Sequence, residues 1–77
     1  MHELKLHPVN AGVWRVTHSQ VGHVGNLKLA GGVWKFKAIG YDPNGEVIPG
    51  GGPLTDRHNT SFVTPDEAAL NAALGPL

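Results

Sequence analysis

The chain has 77 residues, with six Lys or Arg, six Asp or Glu, five His and no Cys. That length holds one small domain rather than two, with a core that is marginal unless packing or self-association supports it, and the lack of Cys excludes a disulfide framework and thiolate metal sites. A formal net charge of zero argues against a uniformly basic nucleic-acid binder.

The expected fold class is α+β, a small antiparallel β-meander of three to four strands with one C-terminal helix packed on one face, all in a single domain over residues 1–77. Met1-His2-Glu3-Leu4-Lys5 lacks the apolar run of a signal peptide. No segment reaches membrane-spanning length, so a soluble, cytoplasmic protein is expected. Leu4-Lys5-Leu6 reads as a short edge strand stopped by Pro8. Longer strands are expected over about 12–18, 21–29 and 33–41, where β-branched and aromatic residues recur at alternating positions. Ser19-Gln20 and Gly31-Gly32 suit two-residue hairpin loops.

Those loops fix a register. Val16 faces His23 and Trp14 faces Gly25 in the first hairpin; Leu29 faces Trp34, Leu27 faces Phe36 and Gly25 faces Ala38 in the second. One face then holds Trp14, Val16, Leu27, Leu29, Trp34, Phe36 and Ala38, with the small Gly25 and Ala38 in the row beside Trp14.

Asp42-Pro43-Asn44-Gly45 is a strong turn: Pro presets φ and Gly tolerates a left-handed conformation. It returns the chain as a short edge strand over 46–48, ended by Pro49. A Gly/Pro-rich loop follows over 49–60. Its run Pro49-Gly50-Gly51-Gly52-Pro53 lacks the Lys, the Ser or Thr and the immediate helix start of a P-loop. It reads as a flexible connection or a partner-binding loop. The helix is expected over about 65–74, with Thr64 as N-cap, Pro65 at the first helical position, Asp66 and Glu67 at the positive end of the dipole, and Gly75-Pro76 as the stop. Leu70 and Leu74 lie one turn apart, and the Ala residues would let the helix approach Trp14 and Trp34 closely, with Phe62 anchoring its entry.

The charges are unevenly spread. Residues 4–41 contain Lys5, Arg15, Lys28, Lys35 and Lys37 and no acid, whereas residues 42–77 contain Asp42, Glu46, Asp56, Asp66 and Glu67 against Arg57 alone. On the face opposite the apolar set the register places Arg15, Thr17, Asn26, Lys28, Lys35 and Lys37, with Lys28 directly opposite Lys35. The candidate binding face is therefore Arg15, Asn26, Lys28, Lys35 and Lys37. It reads either as a solvated sheet face whose lysines discourage edge pairing, or as a surface for an anionic partner. Val13, Val24, Val33 and Ile39 share this face in the same register, which also suits cover by a second subunit.

No motif implies a cofactor, and no catalytic or metal-ligating residue is assigned. His18 and His23 fall on one face, and Asp56 and His58 lie two residues apart, but no His pair has helical spacing and no third ligand is fixed. The two Ser, at 19 and 61, sit in no nucleophile elbow.

Three strands followed by a helix, carried by the Trp34 and Ala38 strand and the Phe62-Val63-Thr64-Pro65-Asp66-Glu67-Ala68 helix entry, resemble the small sheet-plus-helix domains of the phage-integrase arm-binding type. That resemblance implies DNA docking on the exposed sheet face through Arg15, Lys28, Lys35 and Lys37. An Arg-rich first strand is missing, and a long Gly/Pro loop precedes the helix. The first functional expectation is a non-catalytic binding or regulatory module acting through a protein partner or a homodimer, without membrane contact. The alternative is nucleic-acid binding by the basic face, and the third is a small metal-dependent or acid–base enzyme.

Overall fold

The computed structural model describes residues 3–76. The strands are β1 (Leu4–Asn10), β2 (Val13–His18), β3 (Gly22–Ala30), β4 (Val33–Tyr41), β5 (Val47–Pro49) and β6 (Ser61–Phe62), and the helix is α1 (Glu67–Leu74). They form a six-stranded antiparallel arrangement in the order β1-β2-β3-β4-β5, with β6 also paired to β4. The α+β class agrees with expectation, and the sheet is larger than the expected three to four strands.

β1 accounts for part of the difference, because it runs through Pro8 instead of stopping there. Alternate residues of an antiparallel edge strand direct their backbone groups outward. Leu4 and Leu6 do so, and by the same alternation the missing N–H of Pro8 falls on the unpaired edge, where it removes no ladder bond. The outward groups are covered by α1. The Asn71 amide accepts from Leu4 N at 2.9 Å and donates to Leu4 O at 3.0 Å, and Leu6 N donates to a Glu67 carboxylate oxygen at 3.1 Å. Two helix side chains thus stand in for a further strand and blunt the edge.

The second hairpin has the expected register, including Leu29 opposite Trp34, Leu27 opposite Phe36 and Gly25 opposite Ala38. The first does not. His18 pairs with Gly22, so the loop contains Ser19, Gln20 and Val21, and a bulge at Val24 follows before Val16 pairs with Gly25 and Trp14 with Leu27. The ring of buried His18 sets the loop: its Nδ1 accepts from Gln20 N at 3.1 Å and Val21 N at 3.3 Å. Two one-residue offsets restore the parity of the side chains, so Trp14 and Val16 keep the inner face. Between them, however, His23 moves to the outer face opposite Thr17, and His18 and His23 lie on opposite faces rather than one. Val24 turns inward at 0% exposure, not outward as its position in the sequence implied.

The core comprises Leu4, Val16, Val24, Leu27, Phe36, Ala38, Leu54, Phe62, Leu70 and Leu74, with Leu6, Trp14 and Trp34 packed against it in part. Leu70 and Leu74 enter it as the one-turn spacing predicts. The helix, however, lies beside β1, and Ala68, Ala69, Ala72 and Ala73 are exposed rather than set against Trp14 and Trp34. It also starts later than expected. Asp66 is the N-cap, accepting from Ala68 N at 2.9 Å and Ala69 N at 3.4 Å, in place of Thr64.

The Asp42 turn forms as expected, with the Asp42 carboxylate accepting from Asn44 N and Glu46 N, each at 2.9 Å. β5 begins one residue later than predicted and includes Pro49. The Gly/Pro run is folded against β4 instead of bridging loosely. A Cβ on Gly52, whose φ is +84°, would stand 2.1 Å from the Ile39 carbonyl oxygen, so this backbone approach admits only glycine. Beyond it Leu54 is buried, a 3-10 turn spans Thr55–Arg57, and β6 completes the cover of β4. No helix among the described residues is long and apolar enough to cross a membrane.

Candidate functional site

With α1 covering part of one face, the other face of the sheet is open. The register gathers the sequence-predicted residues there: Arg15 stands opposite Asn26, Asn26 opposite Lys37, and Lys28 opposite Lys35. Because His7 pairs with Arg15 at the other side of β2, one row crosses four strands as His7, Arg15, Asn26 and Lys37. At the usual strand spacing this row is about 14 Å long. Arg15 and Lys28 are exposed, and Lys35 and Lys37 are half-buried, their stems lying on the sheet.

Among the described residues the ion pairs are Lys5–Glu67 at 3.7 Å and Arg57–Asp56 at 3.0 Å, while His18, whose Nδ1 is an acceptor, donates through Nε2 to a Glu3 carboxylate oxygen at 3.2 Å. None involves Arg15, Lys28, Lys35 or Lys37. Four of the carboxylates are engaged elsewhere: Asp66 caps the helix, Glu67 pairs with Lys5 at the β1 edge, Asp42 caps its own turn, and Asp56 pairs with its neighbour. The charge asymmetry along the sequence thus becomes an asymmetry across the sheet. Lys37 donates through Nζ to Asn59 Oδ1, and Asn59 lies in the left-handed region at φ 72° with its N–H donating to Phe36 O at 2.7 Å.

Two hollows flank the basic row on the same face. One, of about 470 Å³, is lined by His7, Pro8, Val9, Arg15 and Thr17. The other, of about 370 Å³, lies over β3, β4 and β5 and includes His23, Asn26, Lys37, Ile39, Tyr41 and His58. Ile39, 8% exposed, belongs to this second hollow, and Tyr41, 49% exposed, stands at the end of β4. A polar relay links its members. His23 Nε2 lies 3.1 Å from Asn26 Oδ1, and His23 Nδ1 lies 3.0 Å from the Tyr41 hydroxyl. With Nε2 donating to the amide oxygen, Nδ1 accepts the Tyr41 proton, which leaves the Asn26 NH₂ and the Tyr41 oxygen available to a ligand.

Sequence reasoning missed Tyr41, His23 and His58 as members of this site. His58 reaches it from the segment after the Gly/Pro run, its Nδ1 accepting from Ala38 N at 3.0 Å. That bond and the Gly52 contact are tertiary and have no local signature. A period-2 reading of β4 does put Tyr41 on the Lys35 and Lys37 face, and that signal was present in the alternation.

The remaining sequence pairs do not form. His18 lies on the inner face with Glu3 and His23 on the outer face, where His58 also lines the second hollow. Among the described residues no three His, Asp or Glu side chains gather as a metal cluster. Asp56 turns to Arg57 rather than to His58. A further hollow of about 290 Å³ lies at the other side of the sheet, beside Glu3, His18, Asn71 and Pro76.

No protein-family model, curated protein or solved structure matches the chain.

Proposed function

We propose that the protein is a small, non-catalytic binding module whose open sheet face takes the phosphate backbone of a nucleic acid. The observation that supports this reading is the set of four cations, Arg15, Lys28, Lys35 and Lys37, on one face with no ion-pair partner among the described residues. Apposing two lysines across β3 and β4 disfavours the isolated fold slightly. An anionic partner turns that repulsion into attraction. Face-to-face pairing of two copies through this surface would set cation against cation, so the surface suits a partner of opposite sign.

The test is fluorescence anisotropy of a labelled oligonucleotide over a salt series. With up to four phosphates neutralised, log K should fall with log salt at a slope of roughly −3. Absence of binding at low salt, or binding indifferent to salt, refutes the reading.

A second reading, self-association or a protein partner, is favoured by a separate observation. At the inner face, Leu29 is 45% exposed and stands opposite the partly buried Trp34. Light scattering decides it for self-association: a monomer at high protein concentration removes the homodimer.

A further inference from the structure

Resting on the reading of the open face as a nucleic-acid surface, we infer that the hollow at the β4–β5 end receives an unpaired base, so that the ligand is a single-stranded polynucleotide rather than a duplex. The hollow has what a planar, polar-edged group requires. Ile39 gives an apolar surface, Tyr41 an aromatic wall, and Pro49 a rigid rim. Its volume of about 370 Å³ lies at the small end of the range for ligand clefts, ~300–1,000 Å³. The His23 relay orients the Tyr41 ring and fixes the Asn26 amide at one side, where its NH₂ meets the hydrogen-bonding edge of a base.

The charge pattern agrees with this occupant. Lys37 belongs both to the hollow and to the row that leads across the sheet through Asn26 to Arg15. A base seated beside Tyr41 therefore leaves its phosphate at Lys37 and the adjoining chain on the Lys28 and Lys35 pair. Bases in a duplex are stacked and paired, and cannot enter a hollow of this kind without leaving the helix. Stacking on an aromatic side chain tolerates any base, so the site selects strandedness more than sequence.

The experiment compares three labelled probes at one low salt concentration: a mixed-sequence DNA single strand, the same sequence in RNA, and the DNA duplex. At least one single strand should bind roughly 10-fold tighter than the duplex, the order expected when one stacked base is gained. Which single strand binds tighter identifies the sugar. Tyr41→Leu should remove most of this preference by weakening single-strand binding while leaving the duplex within about two-fold, and Tyr41→Phe should retain it. In the wild-type protein, single-stranded DNA should also shift the methyl resonances of Ile39 and Val47, an outcome that needs no variant to fold. Equal binding of duplex and single strand, with those methyls unmoved, overturns the inference and leaves the phosphate-binding reading standing. Failure of all three probes to bind overturns both.

Discussion

Replacing Lys35 by Glu should make the protein more stable and a poorer binder at once. Lys35 faces Lys28 directly across β3 and β4, and like charges so placed are destabilising by a few tenths of a kcal/mol, whereas an opposite pair contributes ~0.2–1 kcal/mol. Lys28 is exposed and Lys35 half-buried, so solvent and salt screen the pair and hold the total swing to about 0.5–1 kcal/mol. In a domain of this size that raises Tm by roughly 2–8 °C. On the binding side the same change puts a negative charge where a phosphate contact is proposed. Affinity for an oligonucleotide should fall by roughly 10-fold or more at low salt, and the salt slope should shrink by about one phosphate contact. Thermal melts at low and high salt and anisotropy titrations read the two effects separately, with Lys35→Gln expected between wild type and Lys35→Glu in both. A lower Tm for Lys35→Glu would show that the Lys28–Lys35 apposition is not a strain on the fold. Unchanged affinity would remove Lys35 from the binding surface.

Asn71→Ala deletes the amide that pairs with both backbone groups of Leu4 at 2.9 and 3.0 Å, and should cost about 1–3 kcal/mol in urea unfolding. Hydrogen exchange at the Leu4 amide should accelerate ahead of the sheet interior. Asp66→Ala should lose about 1 kcal/mol as an N-cap, whereas Thr64→Ala should be close to neutral; the reverse order would restore Thr64 as the cap. Gly25→Ala should destabilise by about 1–3 kcal/mol through overpacking. A Cβ there meets the Phe36 ring at 2.5 Å and the Lys37 carbonyl oxygen at 2.6 Å, and the backbone oxygen cannot rotate away. A melting temperature equal to wild type would refute the close approach.

The assignment of faces was legible in the alternation of β2, β4 and the part of β3 after Gly25, even where the register was not; His23 and Val24, beside the bulge, fall on the faces opposite to those expected. Trp14 faces Leu27 rather than Gly25, yet both residues remain on the inner side because the longer loop and the bulge at Val24 shift the partner strand by an even number of residues. A single offset would have turned the whole of β2 over. The bulge itself accompanies the buried ring of His18 bonding to two loop amides, a tertiary contact that a propensity argument does not contain. Strand β1 was underestimated for a related reason. Pro8 is a stop signal in a central strand but not on an outer edge, and whether a strand is at an edge is decided by what lies beside it. Leu54 was invisible for the opposite reason: one apolar residue between Pro53 and Thr55 has no periodicity to read.

The proposed binding surface was only half legible, because a net charge is a sum over the chain while a ligand meets a face. Residues 4–41 are basic and residues 42–77 acidic, and a meander followed by a helix could have interleaved them. Instead Arg15, Lys28, Lys35 and Lys37 share the open face, while Asp66 caps the helix beside β1 and Glu67 pairs with Lys5 at that edge of the sheet. None of the four has an ion-pair partner among the described residues, and the Debye length at physiological ionic strength is about 8 Å. A polyanion at the open face would therefore meet those four cations locally, and the chain's net charge of zero is a poor guide to how that face behaves. The hollow beside Tyr41 was the illegible half: His23, Asn26, Tyr41, Pro49 and His58 reach it from four separate stretches of chain. Their meeting depends on the bulge that turns His23 outward and on the Gly52 approach that folds the His58 segment back along β4.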